Sequence, residues 1–478
     1  MALAATETPE TIHKPAFIAP PLADQARRLM TASQRIFWIG LLTVVVVCFA
    51  VAWRSTLLWL NAAVMVFYVG VTLYKMAVII ASVRLGRQIE VSRDEIEALD
   101  GASLPRYTIL VPLFHEAQVF ESLIEGLSRL DYPKDKLQII LLLEQTDAET
   151  IEACRRAHLS KPFGAIVVRD SYPRTKPKAC DVGLTRATGE YLVIYDAEDR
   201  PEPDQLKKAI VAFRKAENDV VCIQAKLNFY NKDQNLLSKW FTAEYSMWFD
   251  LYLPGLGFCE APIPLGGTSN HFKTKTLIEM GGWDPYNVAE DCDLGIRLYK
   301  SGYSTRMLDS TTWEEACCSL PYWIRQRSRW IKGYVQTFCV HTRSILRVKK
   351  ALGWNKLIHF LLLTGGNFFI YIINPLYWLL TLAWVMFRGK EVGAFFPAPV
   401  FIMGFLCLFL GNFAFIYANM LGCCRRGYYD LVKYALIVPP YWALMSVAAW
   451  KALWQLIVKP HYWEKTKHGL SSEEGKAS

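Results

Sequence analysis

Apolar positions along this 478-residue chain are gathered into blocks, and the blocks set its organisation. Ile36 to Trp53 carries no charge and Leu57 to Val83 carries one, Lys75. Each is long enough to cross a hydrocarbon core of about 30 Å, which predicts a transmembrane hairpin over residues 35–84. Arg27, Arg28 and Arg35 precede it and Arg84 and Arg87 follow it, which places both flanks in the cytoplasm. The polar, Pro-containing stretch 1–34 is expected to be a disordered cytosolic N-terminus and lacks the cleavage site of a signal peptide. A second pair, Phe368 to Phe387 and Val400 to Leu421, falls within 350–427, an interface helix followed by a hairpin with a kink at Pro375. The last apolar stretch, Tyr434 to Val458, opens the segment 434–478. As a span it would put the basic tail Lys459 to His468 outside, against the charge rule, so an interfacial helix is expected and a fifth span stays open.

Between these blocks, over residues 104–345, the pattern changes to short β-rich runs alternating with helical segments. Tyr107 to Leu113, Gln138 to Leu143, Ala165 to Val168, Tyr191 to Tyr195 and Val220 to Gln224 read as buried strands, with Ala117 to Arg129 and Lys178 to Arg186 as crossover helices. That alternation predicts a doubly wound α/β domain with a mostly parallel sheet, on the cytosolic side, whose ligands gather at the carboxyl ends of the strands. Glu116, Glu144, Asp196, Glu198 and Asp199 fall at those ends. Gly-x-Gly-x-x-Gly and Gly-Lys-Ser/Thr turns are missing, which removes dinucleotide and P-loop chemistry.

Composition narrows the partners. With 53% hydrophobic and 20% charged residues, the chain suits one sizeable soluble domain joined to several spans. A formal charge of +9 fits an anionic leaflet or a nucleoside diphosphate, and its basic residues lack the runs of a nucleic-acid binder. The twelve cysteines include no Cys-x-x-Cys spacing, so neither zinc nor a disulfide framework is indicated.

Five motifs carry chemistry. Asp196-Ala197-Glu198-Asp199 packs three carboxylates at a strand end, the oxygen-rich donor set that Mg²⁺ or Mn²⁺ shares with phosphates, although a helix-capping acidic loop has the same composition. Arg174-Thr175-Lys176-Pro177-Lys178 precedes a helix and offers cations and N–H groups to a diphosphate. Gly266-Gly267-Thr268-Ser269 allows close approach of a ligand and supplies hydroxyls for a sugar. Glu290-Asp291 opens a helix and provides a carboxylate able to take a hydroxyl proton, where capping alone is the plainer account. Gln326-Arg327-Ser328-Arg329-Trp330 sets a carboxamide, two guanidiniums and an indole on one or two helical turns, suited to clamping a diphosphate and stacking on a sugar, or to lying on anionic lipid.

From Val111-Pro112-Leu113-Phe114-His115-Glu116 through the Asp196 cluster and Ala289-Glu290-Asp291 to Gln326-Arg327-Ser328-Arg329-Trp330, the order of blocks resembles the processive family 2 glycosyltransferases, the cellulose, chitin and hyaluronan synthases. The resemblance implies a GT-A-like catalytic domain and inverting polymerisation of a UDP-hexose, with UDP-glucose expected. The β-linked glycan acceptor chain would be passed across the plasma (inner) membrane bilayer, with room for an envelope export partner. It implies Asp291 as base; Glu116, Glu144, Arg174, Lys178, Asp196, Gln326, Arg327 and Arg329 around the nucleotide; and Thr268, Ser269, Glu290 and Trp330 at the acceptor. Asp196 with Glu198 or Asp199 would hold Mg²⁺ or Mn²⁺. Trp463-Glu464-Lys465-Thr466-Lys467 is similar to the family's gating segment, with Thr466 and Lys467 on the phosphates. Two departures stand out: Glu144-Gln145-Thr146-Asp147 replaces a usual Asp pair, and Ala289 replaces a usual Thr. The rival expectations are a non-processive transferase acting on a lipid and, more distantly, a transporter with a cytosolic binding domain.

Overall fold

Nine strands form one sheet in the computed structural model, which describes residues 18–86, 88–387, 393 and 395–465. They are β1 (Gln88–Ile89), β2 (Tyr107–Leu113), β3 (Leu137–Glu144), β4 (Phe163–Val168), β5 (Tyr191–Ile194), β6 (Arg200–Pro201), β7 (Val220–Phe229), β8 (Asn270–Lys273) and β9 (Ser304–Glu314). The order is β1-β9-β7-β8-β5-β2-β3-β4, with β6 pairing β9. Pairs β2/β3, β2/β5, β3/β4, β7/β9 and β1/β9 are parallel, while β8 runs antiparallel between β5 and β7. Because β8 reverses twice, β5 and β7 point the same way, and the carboxyl ends of β2, β3, β5, β7 and β9 share one edge. Helices cover both faces: Phe120–Ser128 packs with Val111, Ile139 and Leu141, and Lys176–Leu184 packs with Leu110, Leu142 and Ile166. The fold is the mostly parallel α/β class expected.

Six helices position the site. Helix α1 (Ala32–Leu85) breaks at Ala52, where φ is −148° and ψ 60°. Both its arms reach the α/β domain side: Gln34 donates to Cys339 O at 2.8 Å, and Tyr74 pairs with His359 at 2.8 Å. Near the break, Trp53 lies against Phe395 and Asn61 donates to Phe395 O. The others are α2 (Lys176–Leu184), α3 (Leu236–Met247), α4 (Glu290–Lys300), α5 (Leu320–His341) and α6 (Pro439–Val458).

Among the described residues, three stretches, Ala32–Arg84, Ile345–Ala383 and Ala398–Arg425, are long and apolar enough to cross a membrane. The bent pair Tyr429–Ala435 and Pro439–Val458, at 66°, would add a fourth. α6 packs between α5 and helix Asn367–Phe387 through Ala448, Ala449 and Ala452 against Ile331, Phe368 and Tyr371.

The disorder expected over 1–34 does not hold for residues 18–34. Ala26 N–H donates to Asp284, Arg343 donates to Ala23 O and Gln25 O, and Lys300 pairs with Asp24 at 2.7 Å. Residues 1–17, Arg87, Thr466 and Lys467 lie outside the described residues.

Candidate active site

The shared strand edge opens into a cavity of about 1080 Å³ whose wall brings together residues far apart in sequence. Glu116, Glu144, Arg174, Asp196, Glu198, Thr268, Glu290, Asp291, Gln326, Arg327, Arg329 and Trp330 all line it.

Local packing explains how α4 and α5 meet there. A Cβ at Gly333 would stand 2.3 Å from Ala289 Cβ and 2.5 Å from Ala289 N, so only glycine lets α5 touch the start of α4. Asn287 donates to Thr337 Oγ1 at 2.9 Å, and Gln336 Oε1 accepts the Val288 N–H at 3.0 Å. One helical turn before Gly333, Arg329 is thereby held over Glu290 and Asp291, reaching Val288 O at 3.4 Å. Ala289, where the resemblance expects threonine, has its Cβ in this contact.

Electrostatics separate the two acids. Burial first, and then the Asp291 charge, pushes the Glu290 carboxyl up to about 8. Asp291 is also raised by burial, opposed by the Cys292 N–H at 2.7 Å and by Lys176 and Arg329. At neutral pH the pair keeps one proton on Glu290 and leaves Asp291 able to accept another.

The Asp196 loop is organised from below. Asp199 is 3% exposed and accepts from the Asp196 N–H at 2.7 Å and from the Thr268 hydroxyl. Burial, then Asp196 and Glu198, raises its carboxyl well above the ordinary range. Asp199 is thus a strut behind the wall, whereas Asp196 and Glu198 face the cavity. Lys176 Nζ sits 2.6 Å from Asp196 and 2.7 Å from Gly267 O. Among the described residues no three His, Cys, Asp or Glu side chains gather as a metal cage. Two carboxylates at the wall still suit Mg²⁺ or Mn²⁺, which complete their shells with phosphates and water.

Two further residues proposed for ligands stand off the wall. Lys178, 2% exposed, donates to Arg169 O and Ser171 O and lies 3.9 Å from Glu144, so it props up the loop carrying Arg174. Ser269, fully buried at φ 58°, donates to Thr312. Arg327 lines the cavity but is committed: it pairs with Glu244, donates to Tyr441 OH at 2.8 Å, and lies 4.4 and 4.8 Å from the Phe241 and Trp330 ring centres. Gln326 Oε1 and the Nε atoms of Arg327 and Arg329 are buried without a hydrogen-bond partner; of the two arginines, only Arg327 has its guanidinium engaged by a carboxylate.

The tail closes over this edge. Gln336 donates to Pro460 O and Lys332 to Tyr462 O at 2.8 Å; Trp463 stacks on Arg329 at 4.5 Å; Glu464 accepts from Lys451 and Gln455; Lys465 reaches Glu116 at 2.9 Å. Sequence reasoning missed Glu314, which lines the wall at the end of β9, and Glu244, and it did not single out Lys176 from its basic run. Among these, only Lys176 carried a signal, its place at a helix start.

The site is therefore a cavity lined by carboxylates, guanidiniums and aromatic rings, on an α/β sheet joined to apolar helices. Residues 108–272 match the family described as Glycosyl transferase family 2, and residues 191–415 match Glycosyl transferase family group 2, two matches that overlap over 191–272. It is 27% identical over 236 residues to the protein named "Probable glycosyltransferase YdaM" of Bacillus subtilis (strain 168), covering 48% of this chain and 55% of that one. It is also 27% identical over 271 residues to glucomannan 4-beta-mannosyltransferase 2 of Arabidopsis thaliana, covering 54% and 50%. The chain spans about half the length of the curated relatives it matches. Among solved structures it is similar to the mannosyltransferase PcManGT from Pyrobaculum calidifontis in complex with GDP-Man and Mn²⁺, at 19% identity and TM-score 0.49 over 84% of this chain and 99% of that one. It is also similar to S. aureus TarS 1–349, at 12% identity and TM-score 0.34 over 70% and 90%.

Proposed function

We propose that this glycosyltransferase transfers a hexose from a nucleoside-diphosphate donor, UDP-glucose in the first instance, onto the end of a β-linked glycan, repeatedly, with inversion, from the cytosolic face of a membrane. The observation that carries the reading is the single cavity shared by Asp291, Asp196 and Arg329.

The acceptor hydroxyl oxygen attacks the anomeric carbon as Asp291 takes its proton. The new C–O bond forms on the face opposite the departing nucleoside diphosphate, which leaves with the electron pair of the broken bond. Arg329 and Gln326, whose Nε and Oε1 have no hydrogen-bond partner, hold the diphosphate, with Arg174 at the rim. Asp196 and Glu198 are the residues that would hold Mg²⁺ or Mn²⁺, an ion that supplies Lewis-acid stabilisation of the leaving group. Trp330 offers a stacking face for the acceptor sugar, steadied by Tyr245 at 6.3 Å and by the Arg327–Glu244 pair. Beyond it the wall continues through Trp248, Asn367, Phe368 and Tyr371 onto the apolar helices, which supports passage of the product along them. The relative named for glucomannan mannosyl transfer supports a β-linked hexose polymer and makes GDP-mannose the second donor to try.

The test is release of UDP or GDP by membranes containing the protein, supplied with a panel of UDP- and GDP-hexoses and Mn²⁺, with products sized. A ladder of lengths from one donor is expected. A single added sugar on a lipid would establish the non-processive alternative, and no turnover with any donor would remove the reading.

A further inference from the structure

Lys176 is the first residue of α2, pinned by Pro177 behind it and by the Thr175 hydroxyl donating to Pro285 O at 2.8 Å. Its ammonium enters the cavity and bonds Asp196 and Gly267 O. A Cβ on Gly267 would lie 3.8 Å from this nitrogen and 3.5 Å from Asp291 Oδ2, so the ammonium that bonds Asp196 shares the Gly267 corner of the cavity with Asp291.

An ammonium 2.6 Å from the Asp196 carboxylate and a divalent ion on the same oxygens exclude each other by distance and by charge. With Asp196 engaged by the ammonium, Glu198 and Glu314 are the wall carboxylates left at this cluster, and among the described residues no cage of three His, Cys, Asp or Glu side chains forms there to extract a hydrated divalent ion. A donor diphosphate changes the balance: its oxygens add ligands for the ion and give the displaced ammonium an acceptor of equal charge. We propose that Lys176 is a positioning residue that occupies Asp196 in the empty enzyme and makes divalent-ion binding conditional on the nucleotide. The inference rests on the metal-assisted transfer reading above, and concerns a lysine to which that reading gives no individual role.

The test is Mn²⁺ binding to the full-length protein in detergent without nucleotide, read from the free-ion paramagnetic resonance signal. Lys176→Met should bind Mn²⁺ at least about tenfold tighter than wild type, the consequence of removing a like charge beside the ion. Lys176→Arg should stay close to wild type, and the gain should vanish in Lys176→Met/Asp196→Asn. Wild-type affinity that is already tight, or unchanged in Lys176→Met, or a gain that survives loss of Asp196, would overturn the proposal. If thermal unfolding shows Lys176→Met to be misfolded, Lys176→Gln carries the same comparison. Failure of the donor panel while Lys176→Met still gains Mn²⁺ affinity would sink the transfer reading and leave this inference standing.

Discussion

Asp291 and Glu290 are neighbours in sequence, yet burial and mutual repulsion give them different work. Because Asp291 must be ionised to accept a proton, rate falls as pH drops through its pKa, and burial places that acid limb above the ordinary aspartate value of about 4. Glu290 keeps its proton until about pH 8, so it is neutral while Asp291 titrates. Glu290→Gln should therefore leave the acid limb in place and abolish any change of rate near pH 8; a pH–rate profile of both proteins checks this. Arg327 makes the complementary point, since a guanidinium at a diphosphate-binding motif is here spent on Glu244 and Tyr441. Glu244→Leu strands a buried charge and should lower stability by roughly 3 kcal/mol, seen as a clear drop in thermal unfolding temperature, whereas a pair that was only a surface contact would scarcely shift it.

At the scale of elements, the meeting of α4 and α5 depends on one missing side chain. In an open helix Gly→Ala stabilises by about 1 kcal/mol, but at Gly333 the added methyl meets Ala289 at 2.3 Å. Gly333→Ala should therefore destabilise, by about 1–3 kcal/mol, and pull Arg329 off the acids; unfolding temperature and nucleotide affinity measured together give the sign. These elements also show what sequence can reveal. β2 is an unbroken apolar run, and its expected bounds, Tyr107 to Leu113, are those observed. β9 was invisible because its Arg306, Asp309 and Thr312 look like loop residues; in the fold Arg306 pairs with Glu217, Asp309 with Lys226, and Thr312 with Gln205 and Ser269. With β9 went Glu314. β8 is too short, at four residues, to show a period. Arg327 and Arg329 are indistinguishable by residue type, and only the position of Glu244, about eighty residues away, separates a structural cation from a ligand-binding one.

For the whole molecule, the tail segment Lys459 to Lys465 ties α5 and α6 to the far side of the sheet through Lys465 and Glu116, across the mouth of the cavity. Lys465→Ala should remove the Lys465–Glu116 contact and loosen this strap, increasing proteolytic cleavage after residue 458 in the nucleotide-free protein while leaving the α/β domain protected. Equal cleavage in both would show that the latch contributes nothing. Glu290, Asp291, Gln326, Arg329 and Trp330 line one cavity at the junction of the sheet edge and the apolar helices, the arrangement that the proposed transfer requires. The central claim is that Asp291 is the base of a glycosyl transfer in that cavity. Initial rates of nucleoside-diphosphate release, with donor affinity measured in parallel, test it most directly. Asp291→Asn should lower the rate by about 10²–10⁴ with donor affinity close to wild type. Undiminished release by Asp291→Asn would contradict the account.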